Sequence, residues 1–270
     1  MYNRLTDELA VCGMNAVLAV GEHHPLSINR LFLREDRLKS FTGICKQLAE
    51  RKRPYKICED EELERICKSV HHQGVVAMIE EPVVEPLGVE DLEQWASERK
   101  TGVVLHSVGN DHNLGAIARA AAFFDAAFIV LNERDEEARL TTSAYRVAEG
   151  ALEHLTVRRI SNTAAFLKDA SKQILTIGTD TRARRRIGDL ADIVKSAKVK
   201  AAGAAPNSRS GTAQRSRPGI ALVLGNEESG LPDNIKEQCS YLLRIPGTGN
   251  IDSLNVSQAA ALFLHAVFEL

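Results

Sequence analysis

The residues best placed to do chemistry lie late in the chain. They are Leu224-Gly225-Asn226-Glu227-Glu228-Ser229-Gly230-Leu231-Pro232 and then Ile245-Pro246-Gly247-Thr248-Gly249-Asn250-Ile251-Asp252-Ser253-Leu254-Asn255-Val256-Ser257. Each stretch reads as an apolar strand running into a glycine-rich loop, and the second loop opens an apolar helix. Two such loops can line one pocket with main-chain amides and carbonyls, because glycine lets a backbone approach a ligand closely. Glu227 directly follows its strand, where a carboxylate either anchors the loop through N–H groups or meets a ligand. Asp252, Ser253 and Asn255 supply cap-competent side chains ahead of the helix, and capping is their ordinary use.

A third constellation lies upstream, from His106-Ser107-Val108-Gly109-Asn110-Asp111-His112-Asn113 to Phe124. A strand ends, a polar turn follows, and a helix is expected over 113–124 with an Asx-type cap. Leu114, Ile117, Ala118, Ala121 and Ala122 recur at helical spacing as its apolar face. Arg119 interrupts that small-residue helix. A lone arginine there commonly reaches out to solvent. Yet Asn113 and Arg119 could face one cavity, since helical side chains lean toward the N-terminus.

The elements that must hold these residues alternate along the chain. Residues 8–80 read as a small α/β unit, with strands near 28–33, 55–58 and 75–79 and helices near 16–20, 39–52 and 60–68. Two prolines and three acids in 80–88 predict an extended linker. The expected division is an α/β domain over 1–81, a linker over 82–98 and a second domain over 99–270. In that second part, strands near 103–106, 128–131, 155–158, 174–177, 220–224 and 242–245 alternate with helices. This order predicts an α/β fold with a mostly parallel sheet and helices on both faces. Ligands on such sheets sit beyond the carboxyl ends of strands, where the glycine loops fall.

Composition narrows the classes. With 270 residues, 44% hydrophobic and 26% charged, the chain reads as globular. No apolar run approaches the roughly 18 residues of a membrane span. No signal-peptide core follows Met1, and the five scattered cysteines form no CxxC pair. A reducing, cytoplasmic setting without a metal site is expected. The net charge of -2 conceals six basic residues and no acid between Lys195 and Pro218, with Arg182-Ala183-Arg184-Arg185-Arg186 just upstream. Local positive charge suits a docking polyanion; a solvated loop is the plain alternative. The stretch of about 196–217 lacks apolar periodicity and reads as a mobile basic insertion.

Taken together, three motifs resemble the SpoU (TrmH-like) branch of the SPOUT RNA methyltransferases. Asn113, Gly115 and Arg119 match its Asn-x-Gly-x-x-x-Arg signature. Gly225, Glu227 and Gly230 match its Gly-x-Glu-x-x-Gly loop, and Ile245, Pro246 and Ser253 through Ser257 match its third motif. All three occur in order over 103–270. Gly13 with Ala16-Val17, and His72-Gln73-Gly74-Val75, look like that family's N-terminal substrate-binding domain, an α/β fold shared with certain ribosomal proteins.

The resemblance implies a C-terminal domain threaded into a deep trefoil knot that binds S-adenosylmethionine. By position, cofactor contacts would fall on Leu224, Gly225, Ile245, Leu254 and Asn255. It further implies a homodimer, and methyl transfer to a ribose 2′-hydroxyl of structured ribosomal or transfer RNA. The central catalytic role would fall to Arg119, with Asn113, Glu227, Ser253 and Asn255 shaping the site. Because arginine effectively never loses its proton, an electrostatic part suits Arg119 better than that of a free base. One departure stands out: Asp125 follows Phe124 where the family usually has glycine. A non-catalytic RNA-binding assembly factor on the same fold is the alternative. A dinucleotide-dependent oxidoreductase is remote, since no strand end carries GxGxxG.

Overall fold

Every side chain of two five-residue runs, Thr101–Leu105 and Ile220–Leu224, is buried, so neither run presents a face to water. Such strands belong in the interior of a parallel sheet. The computed structural model describes residues 2–3, 8–133, 139–197 and 217–270. The basic insertion expected at about 196–217 therefore lies, over 198–216, outside the described residues. In chain order the elements are β1 (Tyr2–Asn3), β2 (Glu8–Cys12), α1 (Met14–His23), β3 (Ile28–Leu33), α2 (Thr42–Glu50), β4 (Tyr55–Ile57), α3 (Asp60–Cys67) and β5 (Val75–Glu80). They continue with α4 (Val89–Ser97), β6 (Thr101–Leu105), α5 (Asp111–Phe123), β7 (Ala126–Asn132), α6 (Thr142–Ala148), β8 (Thr156–Ile160), α7 (Thr163–Ala170) and β9 (Leu175–Thr179). The chain closes with β10 (Arg185–Arg186), α8 (Leu190–Ser196), β11 (Ile220–Leu224), α9 (Asp233–Lys236), β12 (Tyr241–Arg244) and α10 (Val256–Phe268).

Two compact units emerge. The first joins Met1–Val83 to two later pieces, Asp111–Arg119 and Arg139–His154. Its sheet runs β1-β2-β5-β3-β4, antiparallel except for the β3–β4 pair. Strand β2 was not expected: its five residues are all buried, so no alternation betrays a strand. Ala10, Cys12, Cys58, Leu63, Cys67, Val76 and Met78 form one core cluster there. The cysteines are free thiols that fill volume as small apolar side chains.

The second unit comprises Val84–Asn110, Ala120–Ala138 and Leu155–Leu270. Its sheet runs β10-β12-β9-β11-β6-β7-β8 and is wholly parallel. Within the stretch expected to be a linker, residues 89–97 instead form α4. Its Trp95 is fully buried, donates Nε1–H to the Ile220 carbonyl at 3.2 Å and stacks on Phe128 at 4.9 Å. The two prolines and the acids of 80–88 masked the amphipathic helix just beyond them. Gly102 makes room for the indole: a methyl group added there would sit 2.6 Å from the Trp95 Cη2.

Candidate active site

Strands β11 and β12 lie on either side of β9, so the loops that follow them leave the same carboxyl edge of the sheet. That edge is where open parallel sheets bind ligands. Leu224, fully buried, is the last residue of β11, and Ile245, half-buried, is the first after β12.

The loop after β11 is held by its own bonds. Gly225 lies against the main chain of Gly230 and Leu231, and a methyl group added to it would meet Leu231 N at 2.5 Å and Gly230 O at 2.6 Å. Any side chain at 225 would push the two limbs apart. Gly230 has φ +68, a conformation glycine adopts without steric cost. Asn226 organises the rest. Its Oδ1 accepts from Glu228 N at 3.0 Å, Ser229 N at 3.1 Å and Ser229 Oγ at 3.2 Å. Its Nδ2 donates to the Ser107 carbonyl at 2.9 Å, tying this loop to the one after β6. Asn226, a residue the motif pattern did not single out, is thus an anchor of this loop. The signal was available, since an Asn before two turn residues is an Asx-turn former. Glu227 is half-buried beside it.

The loop after β12 is built differently. From Pro246 to Asn255 every residue is exposed, including Ile251 at 82% and Leu254 at 47%. Among the described residues, no main-chain group from Gly247 to Ser253 pairs with another main-chain group. Asn255 caps α10: its Oδ1 accepts from Ser257 N at 2.8 Å and from Ser257 Oγ at 2.6 Å. The capping expected of this stretch therefore falls on Asn255. Ser253 stands two residues outside the cap.

Asn113 and Arg119 belong to the first unit. Helix α5 starts at Asp111, so Asn113 sits in its first turn rather than at the cap, and it is buried. The Asp111 carboxylate takes the early position instead, accepting from Thr141 Oγ1 at 2.7 Å. Negative charge in a first turn favours the helix. Gly115 lets α5 close on α6, because an added methyl group would sit 2.6 Å from the Ala144 carbonyl oxygen. Arg119 has a half-exposed side chain and pairs with Glu149, Nη1 to Oε1, at 3.1 Å. The other Glu149 oxygen accepts from Asn15 Nδ2 at 3.2 Å. Glu149, another residue the motifs did not reveal, has φ 48 at the end of α6, which aims its carboxylate locally. Four residues on, burial pushes the Glu153 carboxyl up to about 7 against the pull of His23. Asp125 has φ 56, so the aspartate in the family's glycine place does take the left-handed region, which short polar side chains tolerate.

The groups these two loops present are apolar side chains and main-chain donors and acceptors. Buried Leu224, exposed Leu254 and open main-chain amides and carbonyls suit apolar and hydrogen-bonding groups. Among the described residues, no three His, Cys, Asp or Glu side chains gather as a metal site, and no helix is long and apolar enough to cross a membrane.

Comparison with known proteins agrees with this reading. The family model described as the SpoU rRNA Methylase family matches residues 100–265, and that for RNA 2'-O ribose methyltransferase substrate binding matches 10–83. The 23S rRNA (guanosine-2'-O-)-methyltransferase RlmB of Bordetella pertussis is 30% identical over 264 residues, covering 94% of each chain. The Nitrosomonas europaea protein of the same name is 29% identical, covering 98% of this chain and 92% of its own. Among solved structures, an rRNA methyltransferase from Sinorhizobium meliloti superposes with TM-score 0.71 at 21% identity, covering 97% of this chain and 87% of that one. The SpoU methyltransferase AviRb from Streptomyces viridochromogenes, in complex with AdoMet, gives TM-score 0.71 at 19% identity, covering 99% and 93%. At those identities the superpositions speak for the fold, while the match over residues 100–265 decides the family: this chain belongs to the SpoU rRNA methylases.

Proposed function

We propose that this protein transfers a methyl group from S-adenosylmethionine to a ribose 2′-hydroxyl of ribosomal RNA, transfer RNA being the second substrate class. The observation that carries the reading is the pair of loops at the carboxyl edge flanking β9, one rigid and one with its main chain open. Leu224, Gly225, Ile245, Leu254 and Asn255 are the residues that would hold the cofactor, Asn255 through its main chain because its Oδ1 caps α10. When bound, S-adenosylmethionine supplies an electrophilic sulfonium methyl.

The chain itself must orient the hydroxyl and favour loss of its proton. Arg119 stays protonated, so its part is to hold a phosphate and stabilise the developing alkoxide. Glu149 fixes the direction of that guanidinium. Asn113, Glu227, Ser253 and Asn255 are the other residues proposed to act in the reaction. Residues 10–83 would grip the RNA, in keeping with their family match, and a fold like that of certain ribosomal proteins is part of the same proposal.

A deep trefoil knot in the second unit is part of the proposal, as the family resemblance implies; the placement of β11 and β12 on either side of β9 is compatible with it. A homodimer in the cytoplasm completes the proposal. Its support is an apolar surface on the second unit: Phe123 is 79% exposed, and Phe124 packs edge-on against His265 and beside the partly exposed Phe268. Patches of that kind mark association sites.

The test uses the full chain, S-adenosylmethionine and transcribed 23S rRNA, with 2′-O-methyl positions mapped before and after reaction. Arg119→Ala should lower turnover by roughly 10²–10³-fold, the cost of removing one electrostatic partner from a reacting oxygen. Its cofactor affinity should stay within a few-fold. Near-normal turnover in that variant refutes the role of Arg119. Failure of the wild-type chain to bind the cofactor at millimolar concentration favours the non-catalytic RNA-binding alternative.

A further inference from the structure

The edge of the seven-stranded sheet carries a cluster of cations that the reaction above does not use. Across Arg182–Arg186 there are four arginines and no acid, and all four are exposed. Ala183 is buried and anchors the segment, with its N–H on the Asp180 carbonyl at 3.0 Å. The two flanking acids are occupied elsewhere. Asp180 accepts from Arg182 N at 3.0 Å and pairs with Lys236 at 3.1 Å, while Asp189 accepts from Arg186 N at 2.8 Å. Both bonds stiffen the backbone and leave the guanidinium groups facing solvent. Among the described residues, none of the four arginines has a carboxylate partner, and neither does Arg244.

Two details separate this cluster from an ordinary solvated face. In the β10–β12 ladder Arg186 lies directly opposite Arg244, so like charges share one register position. That juxtaposition is unfavourable unless an anion comes between them. The Arg185 guanidinium lies 5.4 Å from the centre of the Tyr241 ring, which holds it in place at modest entropic cost. Charge on an edge strand also deters strand-to-strand pairing, but a single lysine serves that purpose. Several ordered arginines without acids instead match the spacing and the bidentate geometry of a phosphate backbone.

We infer that the β10–β12 edge, through Arg182, Arg184, Arg185, Arg186 and Arg244, is a second docking surface for the phosphate backbone of the RNA substrate, separate from the family-matched residues 10–83. This rests on the proposed function. The arginines meet phosphate, so they add affinity and register without reading sequence.

The experiment measures binding of the full chain to transcribed 23S rRNA across a salt series, alongside S-adenosylmethionine binding and methyl transfer. The variant is Arg184→Ala/Arg185→Ala/Arg186→Ala, with its all-lysine counterpart as the control for charge. Expected is a salt slope lower by about two to three, at roughly 0.7–0.9 for each phosphate no longer neutralised, and RNA affinity weaker by about tenfold or more near 0.15 M salt. Cofactor affinity should be unchanged within twofold, and the lysine variant should recover most of the RNA affinity. If wild-type chain transfers no methyl group yet the alanine variant still loses RNA affinity, the surface stands and the reaction falls. If methyl transfer proceeds and the slope does not change, the surface falls and the reaction stands. An unchanged RNA slope joined to lost self-association in sedimentation overturns the inference in favour of a protein partner.

Discussion

The two loops at the carboxyl edge are neighbours in sequence and are made on opposite principles. The loop after β11 closes on itself: Gly225 presses on the Gly230–Leu231 main chain, and Asn226 accepts three hydrogen bonds while donating a fourth to Ser107. The loop after β12 bonds little within itself from Gly247 to Ser253 and exposes Ile251 and Leu254. A site needs both kinds. In the proposed site the rigid loop would give a ligand a fixed wall without a reorganisation cost, and the open one would supply donors, acceptors and apolar surface for the ligand to complete.

If that contrast is right, damage to the first loop should register mainly as lost stability, and damage to the second mainly as lost binding. The largest effect is expected from Gly225→Ala. Its new methyl group meets backbone that cannot yield, so thermal unfolding should show a loss of about 3 kcal/mol or more, with cofactor binding abolished. Next comes Asn226→Ala, which removes three accepted hydrogen bonds and the tie to Ser107. Denaturant titration should give about 2–3 kcal/mol of destabilisation, with weaker cofactor binding as a consequence.

The open loop should behave in reverse. Leu254→Ala should leave the melting temperature nearly unchanged while weakening S-adenosylmethionine by about tenfold in calorimetry, the worth of one apolar side chain at about 1.4 kcal/mol. A drop in stability with intact binding would reverse the assignment of the two loops. Smallest is Asn255→Ala, which removes the α10 cap and should cost about 1 kcal/mol. Asn255→Asp, which keeps an acceptor for Ser257 N, should restore most of that loss.

Much of this was legible in residue order. The strands from β6 onward other than β10, the helices that carry the motifs and the placing of both loops follow from apolar runs punctuated by glycine and proline. Strand β2 escaped notice because burial of all five residues erases the alternation that announces a strand. Helix α4 was hidden behind a proline-rich stretch, and its reason for existing is Trp95, whose partners Phe128 and Ile220 are far along the chain. The two-residue strand β10 is too short for any periodicity and exists only because β12 offers it an edge.

The site divides in the same way. Arg119, Glu227 and the Ser253–Asn255 stretch could be named from motif spacing, but their immediate partners could not. Glu149 lies 30 residues from Arg119, and Ser107 lies 119 residues from Asn226. Sequence alone determined which local conformations were accessible: glycines where backbones must touch, an Asn ahead of a helix, apolar runs long enough to be buried. Only the tertiary structure decided which distant partners each polar group would meet, as Asn226 meets the Ser107 carbonyl and Asp111 meets Thr141. Local hydrogen-bonding power is nearly equal among such residues, and the choice turns on which distant carbonyl or hydroxyl the fold brings within about 3 Å.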